Sequence, residues 1–219
     1  MSARHPLART ALASALLALA AHAAASWLTH DYQVWTAEGA RRLEIAQRPV
    51  PSPPIVVHGP GVGEQTLEAL LSAGGTPTIV DFIYTRCVSV CSTLGSVFQQ
   101  MQARIAQDRE EASGRAPVRL LSIGFDPRDD SAALAARAAG LQADPALWRF
   151  AHAATAADTR LLLDRFQVTV IPDGLGGYEH NAALLVVDAR GRLVRVFDYA
   201  EAETALAFAE ALPLRGAVR

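Results

Sequence analysis

Hydrophobic and polar positions follow two alternating periods from about residue 55 to the C-terminus. Short apolar runs rich in β-branched residues are typical of buried strands, and apolar positions at i, i+3 and i+4 are typical of amphipathic helices. The predicted strands cover residues 55–57, 78–84, 118–125, 183–187 and 193–197, and the predicted helices cover 64–72, 90–112, 131–140, 155–166 and 201–212. This order, which closes with an antiparallel hairpin, predicts an α/β fold with a central mixed sheet covered by helices on both faces.

The N-terminal segment has the pattern of a targeting sequence. Basic and imidazole side chains within the first nine residues precede an apolar run at 10–21, and Ala-His-Ala at 21–23 has the small-x-small form of a signal-peptidase site. Low polarity continues to residue 28, which gives about 19 residues, close to the ~20 that a spanning helix needs. Residues 1–25 are therefore expected to be a cleaved signal peptide or a retained membrane anchor, and either places the folded part on the periplasmic side of the cytoplasmic membrane. The alternative is an amphipathic or buried helix of a cytoplasmic protein.

Residues 26–54 separate this segment from the alternating pattern. Four of the six residues at 49–54 are proline, which favours extended polyproline geometry and cannot join a helix interior. We expect 26–54 to be a proline-rich linker or an ordered wrap, and 55–213 to be the folded domain.

Composition narrows the classes of function. With 51% hydrophobic and 19% charged residues, the chain has enough apolar surface to form a core. A net charge of −2 without any block of like charges lacks the electrostatic pattern of a nucleic-acid binder, so no nucleic-acid partner is expected. All 20 basic residues are arginine, which excludes mechanisms that use a lysine Schiff base or a P-loop lysine.

The two cysteines, Cys87 and Cys91, are the main candidates for chemistry. A predicted strand ends near Tyr84, and Thr85 is a suitable N-cap for the helix that follows. In that helix the cysteines are four residues apart and lie on one face. Backbone N–H groups and the dipole at a helix N-terminus stabilise a thiolate, the form that attacks disulfides and binds metals. The position therefore predicts reactive rather than inert thiols.

The spacing of the pair leaves several chemistries open. Cys-x3-Cys differs from the Cys-x2-Cys redox spacing and lacks the second pair of a structural zinc site. Two thiolates suit Cu(I), and an imidazole would complete a three-coordinate site. Helical i, i+4 Cα atoms are about 6 Å apart, so a disulfide is also geometrically allowed. Because the loop it closes is short, such a disulfide would add little stability and would be reversible.

Four blocks of the sequence resemble a known family. Residues 81–91 resemble the copper-site motif of the Sco/SenC family of thioredoxin-like proteins. The blocks at 122–130, 166–168 and 180–191 resemble three further segments of that family, in the same order and with roughly the same spacing. The resemblance covers about residues 78–199.

The resemblance implies a thioredoxin-like fold and one copper ion per chain, Cu(I) or Cu(II), bound by Cys87, Cys91 and His180. It also implies a role in assembling the copper site of a respiratory cytochrome oxidase or in reducing the cysteines of that site. The sequence departs from the family at Val88 and Ser92, because the family often has proline after each cysteine.

The resulting hypothesis is an exported Cu(I)-binding metallochaperone that assists copper-site assembly of a respiratory cytochrome oxidase. Its expected partner is the oxidase subunit that carries the copper site, or another copper or thiol protein, with the N-terminal segment as a contact to the membrane. The alternative is a periplasmic thiol-disulfide reductase without physiological copper, in which Cys87 attacks a partner disulfide and Cys91 resolves the mixed disulfide. A thiol peroxidase is a weaker third hypothesis, which rests on Thr85 two residues before the first cysteine. The sequence alone does not separate the first two, because both use the same thiolates.

Other polar residues have ordinary interpretations. His30, His58 and His152 lack a surrounding motif and are expected at the surface. Asp126 opens an Asp-Pro turn, although a carboxylate at the end of a strand is also placed to orient a ligand. Arg86 adjoins the first cysteine and is a candidate to stabilise its thiolate, although an arginine beside a loop is usually solvated.

Overall fold

The computed structural model describes residues 4–87, 90–111 and 118–215, with the backbone alone at 4–5, 90–94, 110–111 and 213–215. Contacts divide the chain into two compact units, Met1–Glu44 and Ile45–Arg219. The second unit carries both cysteines and all of the other candidate site residues.

The N-terminal unit is mainly helical. Helix α1 (Arg4–Leu28) is followed by a turn and by helix α2 (Ala37–Gln47), whose last residues belong to the second unit. The segment Pro6–Leu28 of α1 is 23 residues long and has a mean hydropathy of 1.6, and none of it is buried. By length and composition this helix is sufficient to cross a membrane, and a signal sequence near the N-terminus has the same properties.

An eight-stranded mixed sheet forms the centre of the second unit, and a two-stranded hairpin stands apart from it. The strands are β1 (Val50–Pro51), β2 (Val56–Gly59), β3 (Val62–Thr66), β4 (Thr78–Ile83), β5 (Arg119–Gly124), β6 (Trp148–Ala153), β7 (Val170–Pro172), β8 (Tyr178–His180), β9 (Leu184–Val187) and β10 (Arg192–Phe197). The order in the large sheet is β1-β10-β9-β4-β5-β6-β2-β3, and β7 pairs with β8. Strands β4, β5 and β6 are parallel, and the other pairs are antiparallel.

Helices cover both faces of the large sheet. They are α3 (Leu67–Ser72), α4 (Val90–Glu111), α5 (Ser131–Gly140), α6 (Ala156–Arg165) and α7 (Ala202–Arg215). Side chains alternate across β4, so that Val80 and Phe82 pack in one cluster with α3 and α6. Ile79 and Ile83 pack in a second cluster with α4, α5 and α7. The predicted α/β fold, with a mixed sheet covered on both faces, is confirmed.

Strand β4 places the candidate site. All six of its residues are buried, because it lies between β9 and β5 with helices on both faces, which accounts for its almost continuous apolar sequence. It pairs in parallel with β5, with Ile83 opposite Gly124. The segments that follow the two strands therefore meet at one edge of the sheet, where α/β folds commonly bind ligands.

Strand β6 is an element that the sequence pattern does not predict. Residues 148–153 are interrupted by Arg149 and His152, which obscure the apolar period, but parallel pairing with β5 satisfies their backbone. Strand β2 packs closely beside β6 at Gly59, where an added Cβ would lie 2.2 Å from the carbonyl oxygen of Phe150. Only glycine permits this approach.

Two further segments differ in their limits from the sequence pattern. The helix predicted at 64–72 begins only at Leu67, because residues up to Thr66 pair with β2 and the Thr66 hydroxyl then accepts the N-cap hydrogen bond from Ala69. Within the proline-rich stretch, Pro51 lies in β1 at the edge of the sheet, where a missing N–H costs no inner ladder bond.

Candidate metal centre

The segment between β4 and α4 carries Cys87 in a turn at the carboxyl edge of the sheet. The Cys87 N–H donates to the carbonyl oxygen of Tyr84 at 3.2 Å. Thr85 donates twice to the carboxylate of Asp129, from its N–H at 2.7 Å and from its hydroxyl at 2.5 Å. These bonds hold the chain in a turn before the helix begins, and the Cys87 side chain is only 6% exposed.

The prediction that one helix carries both cysteines on one face is wrong. Cys87 is not helical, whereas Cys91 lies in the first turn of α4. The physical reason is Asp129, which binds the Thr85 hydroxyl that was expected to cap the helix. Residues 88–89 and the side chain of Cys91 lie outside the described part of the chain. The metal role of Cys91 and the Cys87–Cys91 disulfide therefore stay predictions.

His180, at the end of β8, buries both of its ring nitrogens. Neither nitrogen has a hydrogen-bond partner among the described residues. Burial lowers the pKa of His180, which favours the neutral ring. Buried polar atoms normally have a partner, so two unpartnered nitrogens in one ring need an explanation. Neutral imidazole is a common metal ligand, and a metal ion would use one of these nitrogens.

Aromatic rings connect the cysteine segment with the hairpin that carries His180. The Tyr84 ring centroid lies 5.6 Å from that of Phe125 and 5.3 Å from that of Tyr178. Phe125 also packs edge-to-face against His180, with centroids 5.2 Å apart. Cys87 belongs to the same buried cluster as Tyr84 and Phe125. The structure thus brings Cys87 and His180 into one region, although the described side chains include no group of three His, Cys, Asp or Glu that could hold a metal.

Asp126 lies in the same region and has a side chain that is 0% exposed. Its carboxylate accepts from Arg86 Nη2 at 2.7 Å, and from Arg128 Nε and Nη2 at 2.9 Å each. The Arg128 N–H also donates to it at 3.0 Å, which is the turn expected from the sequence. Burial, and then the charge of Asp126, raise the pKa of Tyr178, whose hydroxyl lies 3.4 Å from the carboxylate. Arg86, a candidate to stabilise the thiolate next to it, pairs with Asp126 and is half-exposed.

Asp81 is a buried acid that the sequence reasoning did not single out. It is 1% exposed within β4, and its Oδ1 atom has no hydrogen-bond partner among the described residues. Burial raises the pKa of Asp81 to about 7, against the opposing effect of a hydrogen bond with Ser122. Ser122 in turn accepts from Trp148 Nε1 at 2.9 Å. The sequence does carry a signal for this buried acid, because Asp81 lies between apolar neighbours in a predicted strand.

Two further histidines of the second unit, His58 and His152, lie on strands β2 and β6. His58 and His152 are half-buried rather than fully exposed, and they face each other across β2 and β6 with ring centroids 4.1 Å apart. Burial and the neighbouring His58 lower the pKa of His152. In the part of the chain that the structure describes, no third ligand joins this pair.

Comparison with known proteins places the chain in a family. A family model for SCO1/SenC matches residues 65–211, which is more than half of the sequence. The chain belongs to the SCO1/SenC family. The resemblance that the sequence suggested is thereby confirmed. No protein with curated function is significantly similar to it in sequence.

Solved structures of Sco proteins share the fold. Bradyrhizobium japonicum ScoI with copper bound is 21% identical, with a TM-score of 0.58 over 74% of this chain and 99% of that chain. A SCO1/SenC family lipoprotein from Bacillus anthracis str. Ames is 18% identical, with a TM-score of 0.61 over 76% of this chain and 98% of that chain. BsSco, a member of the Sco family of cytochrome c oxidase assembly proteins, is 18% identical, with a TM-score of 0.58 over 75% and 96% of the two chains. The predicted thioredoxin-like fold is confirmed.

The match to the Sco family contains every part of the candidate centre. The cysteine segment, the Asp126 turn and the His180 hairpin all fall within residues 65–211. The family match begins after α1, α2 and the proline-rich stretch, so the N-terminal segment is described by its own sequence and structure alone.

Proposed function

We propose that this Sco-family protein binds one Cu(I) ion through Cys87, Cys91 and His180 and delivers it to the copper site of a respiratory cytochrome oxidase. The observation that carries the proposal is the buried ring of His180, whose two nitrogens have no partner among the described residues. Solved structures of ScoI from Bradyrhizobium japonicum and from Arabidopsis thaliana have copper bound. BsSco is described as a member of a family of cytochrome c oxidase assembly proteins.

The donor set suits Cu(I). Thiolates are soft ligands that select this ion, and a neutral imidazole completes a three-coordinate site. Because burial lowers the pKa of His180, the ring is neutral and able to bind a metal at neutral pH. Cys91 lies in the first turn of α4, where unpaired N–H groups and the helix dipole stabilise a thiolate.

Delivery then proceeds by exchange of ligands. A thiolate of the partner binds the three-coordinate ion while His180, the neutral ligand, leaves, and a second partner thiolate replaces Cys87 or Cys91. No electron is transferred, because copper stays Cu(I) throughout. The coordination number never falls below two, so the ion is not released to solvent between the proteins.

We also propose that the protein works on the periplasmic side of the cytoplasmic membrane. The segment Pro6–Leu28 is apolar and unburied, as a signal peptide or a membrane anchor would be. One structural neighbour is itself described as a lipoprotein. Cell fractionation combined with mass analysis of the mature N-terminus tests this location, and full-length protein in the cytosol would contradict it.

Competition for Cu(I) with a chelator, under anaerobic conditions and with reduced protein, tests the copper function. The wild type should bind one ion per chain, Cys87→Ser and Cys91→Ser should lose binding, and His180→Ala should bind more weakly while its thiol pair still cycles. His152→Ala is the matched control, since it removes a half-buried imidazole outside the centre and should bind like the wild type. Equal affinity of His180→Ala and wild type would contradict the three-ligand site.

The thiol-disulfide reductase is the function that would then take its place. In that reaction the Cys87 thiolate attacks a partner disulfide, forms a mixed disulfide and releases one partner thiolate. The Cys91 thiolate attacks the mixed disulfide next, which leaves the partner as a dithiol and this protein with a Cys87–Cys91 disulfide. This chemistry gives no role to an unpartnered imidazole, which is why the copper function is preferred.

A further inference from the structure

We propose that Asp126 is a positioning residue, which fixes the His180 hairpin against the Cys87 turn and thereby sets how tightly the metal is held. The inference rests on the proposed copper function, and it concerns a residue that is not itself a ligand. The proposed ligands come from two separate segments of the chain, the stretch from the β4–α4 connection into the first turn of α4, and strand β8. Something must hold these segments in register, because a metal site tolerates only small errors in ligand position.

Arg86 connects Asp126 to the cysteine segment. Its Nη2 atom donates to Asp126 Oδ2 at 2.7 Å, and Arg86 immediately precedes Cys87 in the chain. The guanidinium is 49% exposed, whereas the carboxylate is 0% exposed. Since the buried partner cannot move into solvent, the bond holds the backbone of the turn toward the end of β5.

Arg128 connects Asp126 to the hairpin. Its Nη2 atom donates both to Asp126 Oδ2 and to the carbonyl oxygen of Gly176, each at 2.9 Å. Its guanidinium carbon also lies 5.8 Å from the centroid of the Tyr178 ring, a cation–π distance. The longer contact from the Tyr178 hydroxyl to Asp126, at 3.4 Å, adds a direct connection from the carboxylate to the same hairpin. One carboxylate therefore joins the turn that holds Cys87 and the strand that ends in His180.

The position of this carboxylate argues against a purely local role. A turn-forming aspartate needs only the bond from the Arg128 N–H, which is present at 3.0 Å. Asp188 shows what a local role looks like, since it accepts from Arg190 N–H, Arg192 N–H and the Arg192 guanidinium within a single hairpin turn. Asp126 also pairs with Arg86, 40 residues away on the cysteine segment, and it holds the Arg128 guanidinium that donates to Gly176 of the hairpin. A buried ion pair is weak evidence for stability, which leaves room for a role in holding the two segments together.

The test is a double-mutant cycle between Asp126 and His180, read out as Cu(I) affinity. Asp126→Asn should weaken binding about 10- to 100-fold in the protein that has His180, the usual effect of removing a residue that orients a metal ligand. In the His180→Ala protein it should change affinity less than about twofold, because the hairpin then supplies no ligand. A merely structural role predicts the same loss in both proteins, and that result would overturn the inference.

Two further variants keep the test decisive. Asp188→Asn breaks a comparable Asp–Arg pair in the β9–β10 turn and should leave Cu(I) affinity unchanged. Arg86→Gln removes a half-exposed side chain but keeps the Arg128 pair, so it should fold even if Asp126→Asn does not. It should show the same dependence on His180, with a smaller loss.

A measurement on the metal-free protein separates this inference from the copper function. Nuclear Overhauser contacts between the rings of His180 and Phe125 should be present in the wild type and in Asp188→Asn, and should be lost in Asp126→Asn. If the wild-type protein binds no Cu(I), the copper function is refuted. The Overhauser contacts of the metal-free proteins still test whether Asp126 positions the hairpin. Contacts that persist in Asp126→Asn would overturn the positioning role, whatever the affinity of the wild type.

Discussion

Strand β4 and the β7–β8 hairpin each bury a titratable side chain with at least one polar atom that has no hydrogen-bond partner among the described residues, but the two regions are built differently. All six residues of β4 are buried in the middle of the eight-stranded sheet. The hairpin is a separate two-stranded sheet, with Ile171 58% and Leu175 93% exposed. Asp81 belongs to the first region and His180 to the second.

The difference predicts that the two regions control different properties of the protein, folding stability and metal affinity. A two-stranded hairpin is marginally stable by itself, so its position depends on its contacts with the sheet. The Cys87 turn follows a strand that is held by the core on both faces, and we expect changes in that region to affect folding. We expect changes in the hairpin to affect metal affinity, because they move His180 without disturbing the core.

The largest contrast should appear when one apolar side chain is removed from each region. Phe82→Ala should lower the free energy of unfolding by about 3–5 kcal/mol, because the ring is 3% exposed and its loss leaves a cavity. Ile171→Ala should change it by less than about 0.5 kcal/mol, because this side chain already faces solvent. Urea denaturation measures both, and similar losses would remove the distinction between the two regions.

The buried acid of β4 should make stability depend on pH. The folded pKa of Asp81 is raised to about 7, above its unfolded value of about 3.9. The stability that its protonated form contributes is therefore fully present below about pH 3.9 and is lost as the pH rises through about 7. Asp81→Asn should be more stable than the wild type at pH 8, on the order of 1–3 kcal/mol. Thermal unfolding from pH 5 to 8 measures this, and an unchanged slope in the variant would refute the assignment.

Replacing the buried imidazole of the hairpin should raise the stability of the metal-free protein and lower its affinity for Cu(I). His180→Phe replaces two unpartnered nitrogens with apolar ring atoms beside Phe125, so the metal-free protein should gain about 1 kcal/mol of stability. The same variant should bind Cu(I) more weakly, because it has lost a ligand. Thermal unfolding and chelator competition on the same preparation measure the two effects. A loss of stability would indicate that the imidazole serves the fold rather than the metal.

The smallest effect should come from Asn181, whose side chain connects the end of β8 to the residues just before β7. Asn181 accepts from the Thr169 N–H at 2.8 Å and donates to the carbonyl oxygen of Gln167 at 3.2 Å. Asn181→Ala should ease local opening of β7 and β8 by about 0.5 kcal/mol. Hydrogen exchange should then be faster at Val170 and His180 and unchanged in β4. Faster exchange in both regions would show that the hairpin does not open independently.

The parts of the fold that could be predicted from the sequence are those fixed by local apolar patterns. The runs that became β4, β5 and β9 are mostly apolar because helices cover both faces of the sheet. Strand β6 was not predicted, since Arg149 and His152 interrupt its pattern and only pairing with β5 makes it a strand. The short hairpin was not predicted either, because it consists of two three-residue strands around a glycine-rich tip.

Within the candidate centre, the residue types were predictable and their connections were not. Cys87 was expected inside a helix, but Asp129, 44 residues away from Thr85, holds the chain in a turn. The pair between Arg86 and Asp126 spans 40 residues, and no local pattern indicates it. Such contacts arise only after the carboxyl ends of β4 and β5 have been brought together by parallel pairing.

Copper X-ray absorption of the reduced, Cu(I)-loaded protein tests the central claim most directly. The wild type should show one copper ion surrounded by two sulfur atoms and one imidazole nitrogen, and His180→Ala should lose the nitrogen while the sulfur atoms remain. The same spectra from His152→Ala should match the wild type. Sulfur-only coordination in the wild type, or identical spectra for wild type and His180→Ala, would contradict the account.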